Sequence, residues 1–213
     1  QEFVRSFKIR GAFNKIYNHR KSYDTITTVS AGNHAQGVAL SCKLLQIKGT
    51  IYMPSPTPNQ KIEQVKMFGE DFIEVVIEGD TFDDAYHASI VACEAEDKTF
   101  IHPFNDEKVI EGQATVGLEI LNQASVKIDY VFVAVGGGGL SSGLSAVFKH
   151  LSPETKIIGI EPEGAPSMKT SITHKKVIAL DKIDAFIDGA AVKRVGDLNF
   201  DICLQNLSDM ITI

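Results

Sequence analysis

Tyr130-Val131-Phe132-Val133-Ala134-Val135 runs directly into Gly136-Gly137-Gly138-Gly139-Leu140, and this join decides the fold. An apolar run with no alternating polar residue predicts a strand buried on both faces of a parallel sheet. The stretch that follows, Leu140 to Leu151, reads as a helix. Four consecutive glycines between strand and helix carry a large backbone-entropy cost, and they allow close approach to a ligand and positive φ. The N–H groups of such a loop and of the helix start converge on one spot, which suits a phosphate. The bland alternative is a flexible turn, and the entropy cost weighs against it. The spacing matches neither GxGxxG nor GxxxxGK[ST], so a single phosphate fits better than a dinucleotide or nucleoside triphosphate.

Outward from this join, short β-branched runs alternate with longer helical stretches. Toward the N-terminus, strands are predicted at Ile26–Val29, Thr50–Met53, Phe72–Ile77 and Phe100–Ile101. Helices are predicted at His34–Leu45, at about Asn59–Phe68 and at Phe82–Ala95. Val38, Cys42 and Leu45 lie on one helix face, and the prolines of PSPTP (54–58) forbid strand continuation. Ile110, Ala114, Leu118 and Leu121 mark another helix face, and Lys156–Ile160 reads as the strand after the glycine helix. Such alternation implies βαβ units, hence an α/β fold with open, mostly parallel sheets. The loop HPFND (102–106) interrupts the pattern. One lobe is expected at 25–106, and a larger one from 1–24 plus 107–213.

Composition excludes several classes. The chain has 213 residues, 44% of them hydrophobic and 23% charged, which suits a packed globular protein rather than a disordered one. A net charge of −6 is the wrong sign for nucleic-acid binding. The longest apolar run falls far short of the roughly 20 residues of a membrane span. Cys42, Cys93 and Cys203 are widely separated and odd in number, which suggests no disulfide framework and a reducing, cytoplasmic setting. The six histidines show no HExxH spacing, so no metal site is expected.

Two further motifs carry chemistry. Ser30-Ala31-Gly32-Asn33-His34 again joins a strand to a helix. Its N–H groups, hydroxyl and amide suit a carboxylate or a ring oxygen, but Ser30 or Asn33 as a plain helix cap fits equally well. In Ser6-Phe7-Lys8-Ile9-Arg10-Gly11-Ala12, Lys8 lies between apolar residues. It is either a snorkelling surface group or a partly desolvated amine suited to attack an aldehyde. Taken alone, the surface reading is the commoner.

Together the three motifs form the parts list for pyridoxal phosphate. SFKIRGA, SAGNHAQG and VGGGGL, in this order, resemble the threonine dehydratase (threonine deaminase) family of biosynthetic type. These are pyridoxal-phosphate enzymes of the tryptophan-synthase-β-like fold, fold-type II. HPFND, VIEGQATVGLEIL and GAAVKRVGD agree, so the resemblance spans essentially the whole chain. It implies that Lys8 forms the internal Schiff base and later shuttles the substrate α-proton. Phe7 then packs beside the cofactor ring, and Asn33 hydrogen-bonds its 3′-oxygen. Gly136, Gly137, Gly138, Gly139 and Leu140 cradle the phosphate, while Ser30, Ala31, Gly32, Asn33 and His34 hold the substrate carboxylate. The implied reaction is dehydration and deamination of L-threonine to 2-oxobutanoate and ammonia, the entry to isoleucine synthesis, in a homo-oligomer.

The resemblance also frames alternatives. In the similar serine racemases a serine stands at the position of Ala31 and acts as the second acid–base group. Alanine carries no such proton, which favours dehydration over racemisation. Those racemases place a divalent cation near a segment like Glu161-Pro162. One carboxylate of that site corresponds to Ser167 here, so no ion is expected. Serine dehydration remains an alternative. Family members continue for roughly another hundred residues within a domain of ordinary size. The absence of Met at the start and the apolar finish Met210–Ile213 are expected to be cuts, with any regulatory domain outside this chain. A truncated cofactor-binding piece without turnover is therefore a further alternative.

Overall fold

The computed structural model describes residues 4–19 and 25–213. Among these, the chain divides into two compact units between Pro103 and Phe104. The first contains α1 (Lys8–His19), β1 (Thr25–Val29), α2 (Asn33–Leu45), β2 (Lys48–Met53), α3 (Asn59–Gly69), β3 (Ile73–Ile77), α4 (Phe82–Ala95) and β4 (Thr99–Phe100). The second contains α5 (Glu107–Gln123), β5 (Tyr130–Ala134), α6 (Gly139–Leu151), β6 (Lys156–Glu161), α7 (Ser167–His174), α8 (Asp197–Asn206) and β7 (Asp209–Thr212). The strand order is β3-β2-β1-β4 in the first sheet and β5-β6-β7 in the second. Every pairing is parallel, as strand–helix alternation requires. The protein is thus α/β, with two open parallel sheets.

The first sheet is covered on both faces. Ile26, Ile51 and Met53 point into a core shared with Ala12, Ile16, Val38 and Val65. The alternate residues Val29 and Tyr52 pack with Ala85, Ala88 and Ala92 of α4. α4 opens with a capping box, in which Thr81 Oγ1 accepts from Asp84 N and the Asp84 carboxylate accepts from Thr81 N.

α1 is absent from the helices read off the sequence. Its residues Ile9, Ala12, Phe13, Ile16 and Tyr17 nevertheless recur at helical spacing, with Gly11, Ala12 and Ile16 buried. It packs on α2 at Gly37. There an added Cβ would lie 3.0–3.1 Å from backbone atoms of Lys8 and Ile9, so only glycine allows this approach. α1 thus lies within the first unit, whereas residues 1–24 were expected with the second lobe. Residues 1–3 and 20–24 fall outside the described residues, and the lobe assignment is retained as a proposal.

In the second sheet, Val133, Leu144, Phe148 and Ile157 form one core with partly buried residues of α5. A neighbouring core joins Val135, Met168, Phe200, Cys203 and Met210. The opposite face differs from the sequence expectation. Tyr130 and Phe132 were read as buried on both sides, yet they are 52% and 64% exposed. In register, Phe132 lies beside Ile158, and Ala134 beside Ile160 and then Ile211. Ile158 and Ile160 are only half-buried, because no element among the described residues covers this face. The apolar finish Met210–Ile213, read as lying in a sheet, falls largely in β7 (Asp209–Thr212), which pairs with β6.

Candidate functional site

Within the first unit, the site is built around Lys8. Ser6 Oγ accepts a 3.3 Å hydrogen bond from Lys8 N, capping α1 at its first residue. Lys8 Nζ donates to the Pro103 carbonyl at 2.8 Å and lies 5.6 Å from the centre of the Phe7 ring. Burial disfavours the ammonium form and brings the amine down from 10.5 to about 8. The amine is therefore desolvated rather than snorkelling, and a useful neutral fraction exists near neutrality.

Ser30-Ala31-Gly32-Asn33 leads from β1 into α2. Gly32 N donates to Ser30 Oγ at 3.2 Å, so Ser30 closes a local turn. No side chain caps α2, which leaves the first N–H groups of the helix for another acceptor. Beside Gly32 there is open space, with nothing within 4 Å of an added Cβ. Ala31 is half-buried and Asn33 exposed.

His34 is different in kind. It is only 3% exposed. Its Nε2 lies 3.0 Å from the Ile101 carbonyl and 3.1 Å from Thr28 Oγ1. Thr28 Oγ1 also donates to that carbonyl, at 2.8 Å. A carbonyl accepts only, so Nε2 carries the hydrogen and Nδ1 is a bare nitrogen, buried without a partner. Burial chiefly, then the Lys8 charge, lower its pKa to about 3. The ring is a neutral clasp between α2 and the segment after β4, and only the backbone N–H of His34 stands at the helix start.

In the second unit, each glycine of the loop meets protein. An added Cβ on Gly137 would fall 2.3–2.4 Å from the Phe104 ring, and on Gly139 it would be 3.0 Å from Phe104 Cβ. At Gly136 it would meet the Ala190 backbone at 3.1–3.4 Å. Gly138 has φ +97°, and its added Cβ would lie 2.7 Å from Asn199 Cβ. Packing thus gives the run of glycines a steric reason in addition to any ligand. Gly138 precedes α6 with no side-chain cap, so the first N–H groups of α6 are left for an anion.

Sequence reasoning missed Pro103, Phe104, Asn105, Ala190 and Asn199. HPFND was noted as a loop, but nothing in it marks Phe104 as the floor of the glycine loop. Glu161, at the end of β6, is fully buried. It accepts from Met168 N and Lys169 N, each at 2.8 Å, and so caps α7. Burial raises its pKa to about 7.

The chain is similar to known proteins in sequence and fold. A biosynthetic L-threonine dehydratase IlvA of Halalkalibacterium halodurans is 52% identical over the whole chain, and that of Bacillus subtilis is 48% identical. The chain spans about half the length of these relatives, 52% and 51%. Among solved structures, the processed form of threonine deaminase isoform 2 from Solanum lycopersicum superposes with TM-score 0.93 and 42% identity, over 99% of this chain and 61% of that one. Maize serine racemase superposes with TM-score 0.92 and 33% identity, over 99% of this chain and 63% of that one. The family described as pyridoxal-phosphate dependent enzymes matches residues 2–213. With a desolvated lysine, an uncapped helix start after each glycine turn and a family match over nearly its whole length, the chain belongs to the pyridoxal-phosphate dependent enzymes.

Proposed function

We propose that this chain is the cofactor-bearing part of a biosynthetic threonine dehydratase, which converts L-threonine to 2-oxobutanoate and ammonia. The observation that carries the chemistry is Lys8, an amine desolvated at the head of a helix with a pKa of about 8. The present residues fit the cofactor. Its aldehyde calls for such an amine, and its phosphate for an uncapped helix start with close backbone approach, as Gly136–Leu140 supply.

Bound pyridoxal phosphate supplies an aldehyde for amines and a ring that accepts electron density from the substrate α-carbon. Lys8 Nζ would be the amine for that aldehyde and, when neutral, a base placed to take a proton from the substrate α-carbon. The Pro103 carbonyl accepts from Nζ and fixes where the amine lies. Phe7 would flank the cofactor ring, and Asn33 would hold its 3′-oxygen. Ser30 to His34 present N–H groups to the substrate carboxylate. Gly136 to Leu140 bind the phosphate, with the α6 dipole favouring its charge.

Serine dehydration is the second reading, because serine differs from threonine by one methyl group. Ala31 speaks against racemisation, since its side chain has no proton to give on the second face. A cytoplasmic location and assembly of the whole enzyme as a homo-oligomer belong to the same proposal. No helix among the described residues is long and apolar enough to cross a membrane.

The test is turnover of threonine to 2-oxobutanoate, in this chain and in a form of the relatives' full length. Turnover lost in Lys8→Ala, together with its visible cofactor absorption band, is the expected result. An unchanged spectrum in Lys8→Ala overturns the role of Lys8, and racemisation of serine without dehydration overturns the reaction.

A further inference from the structure

The glycine loop has no side chains of its own, so its shape must be imposed from outside. Glycine backbone is the freest in the chain, and a loop that samples many shapes binds an anion weakly. Besides the Ala190 backbone at Gly136 and Met168 at Gly138, the following contacts impose the shape here. The Phe104 ring lies against Gly137, and its Cβ against Gly139. Gly196 N donates to the Gly137 carbonyl at 3.2 Å. Asn199 fills the space beside Gly138 and blocks any Cβ there.

Asn199 is the informative member. It is fully buried on α8. Its Nδ2 donates to Ser142 Oγ at 3.2 Å, and that hydroxyl donates to the Asn199 carbonyl at 3.3 Å. Ser142 is in the first turn of α6, and its N donates to the Gly138 carbonyl at 2.8 Å. Asn199 and Ser142 therefore tie α8 to the first turn of α6, the turn that opens on Gly138. Asn199 Oδ1 is buried without a partner. A buried amide satisfied at one end only is a poor choice for stability alone, where an apolar side chain would be less costly. One residue earlier, Leu198 N donates to Asn105 Oδ1 at 3.1 Å, so α8 is held in place from outside its own sequence.

We propose that Asn199, acting through Ser142, is a positioning residue that holds Gly138 in its left-handed conformation and thereby sets the phosphate-accepting N–H groups of α6. This rests on the glycine loop taking the cofactor phosphate. It assigns Asn199 no contact with cofactor or substrate.

The test compares the affinity of the full chain for pyridoxal 5′-phosphate with its affinity for pyridoxal, which lacks the phosphate. In Asn199→Ala and in Ser142→Ala, the preference for the phosphorylated form is expected to fall about tenfold, the scale of one lost buried partner. Pyridoxal affinity should stay as in the wild type, a split that a general loss of packing would not produce. A wild type that prefers the phosphate form, with both variants keeping that preference, overturns the positioning role and leaves the loop's function standing. A wild type with no preference overturns the phosphate assignment itself. Should Asn199→Ala fail to fold, Ser142→Ala decides on the same ratio.

Discussion

Lys8 and His34 are both basic side chains in a dry setting, and they resolve the conflict differently. Lys8 keeps one carbonyl partner and a pKa of about 8, which leaves it available for proton transfer. His34 is neutral at any ordinary pH, with a pKa of about 3. Its ordinary value of 6.5 applies in the unfolded chain, so between these limits the unfolded state binds the extra proton. Stability then rises with pH across that window and is lost as pH falls below about 6.5. In His34→Leu the slope of stability against pH between about 6.5 and 4 should flatten, by on the order of 2 kcal/mol over the window. Denaturant unfolding at several pH values measures it, and an unchanged slope would remove the buried neutral ring from the account. At this scale the sequence was legible where chemistry is local. The glycines between strand and helix announce themselves, whereas Lys8 between apolar neighbours reads as a surface group until it is taken with the other two motifs. Asn199 and Phe104 do not, because their partners Ser142 and Gly137 lie far along the chain and no residue pattern encodes the meeting.

Elements whose apolar residues recur regularly were readable, and those that meet their neighbours through small residues were not. β1, β2, α2 and α4 carry periodic apolar faces. α8 buries only Asn199, Phe200 and Cys203, and α1 meets α2 through Gly37. Such close approaches are sensitive to volume. Gly37→Ala places a methyl group 3.0–3.1 Å from backbone atoms of Lys8 and Ile9, and backbone cannot step aside as a flexible side chain can. A loss of about 1–3 kcal/mol in unfolding free energy is expected, with the head of α1, and Lys8 on it, displaced. Calorimetry together with the Lys8 titration checks both. A variant with wild-type stability and an unshifted amine would show that the α1–α2 contact is slack.

At the scale of the molecule, the two sheets are finished unequally. The first is covered on both faces, while the second leaves Tyr130, Phe132 and Ile211 open. A parallel sheet is ordinarily buried on both sides, and apolar patches of this kind mark surfaces that need a cover. The alternation of strand and helix was legible in the sequence, but the bare face was not, since a strand's composition does not say what lies over it. The chain by itself is expected to bind a hydrophobic dye such as anilinonaphthalene sulfonate in its native state. Phe132→Glu should reduce that fluorescence while changing stability by less than about 0.5 kcal/mol. Dye binding unaffected by the substitution would place the apolar surface elsewhere.

The cap that Asn105 supplies to Leu198 spans 93 residues. During synthesis the glycine loop is made, and can enter its strand–helix unit, long before residues 196 to 199 leave the ribosome. Until they do, Gly138 lacks the Asn199 contact and has only Met168 beside it, so the phosphate cradle is among the last parts of this unit to mature. A nascent chain halted before Gly196 would therefore carry the glycine motif complete in sequence and still lack a preformed anion site.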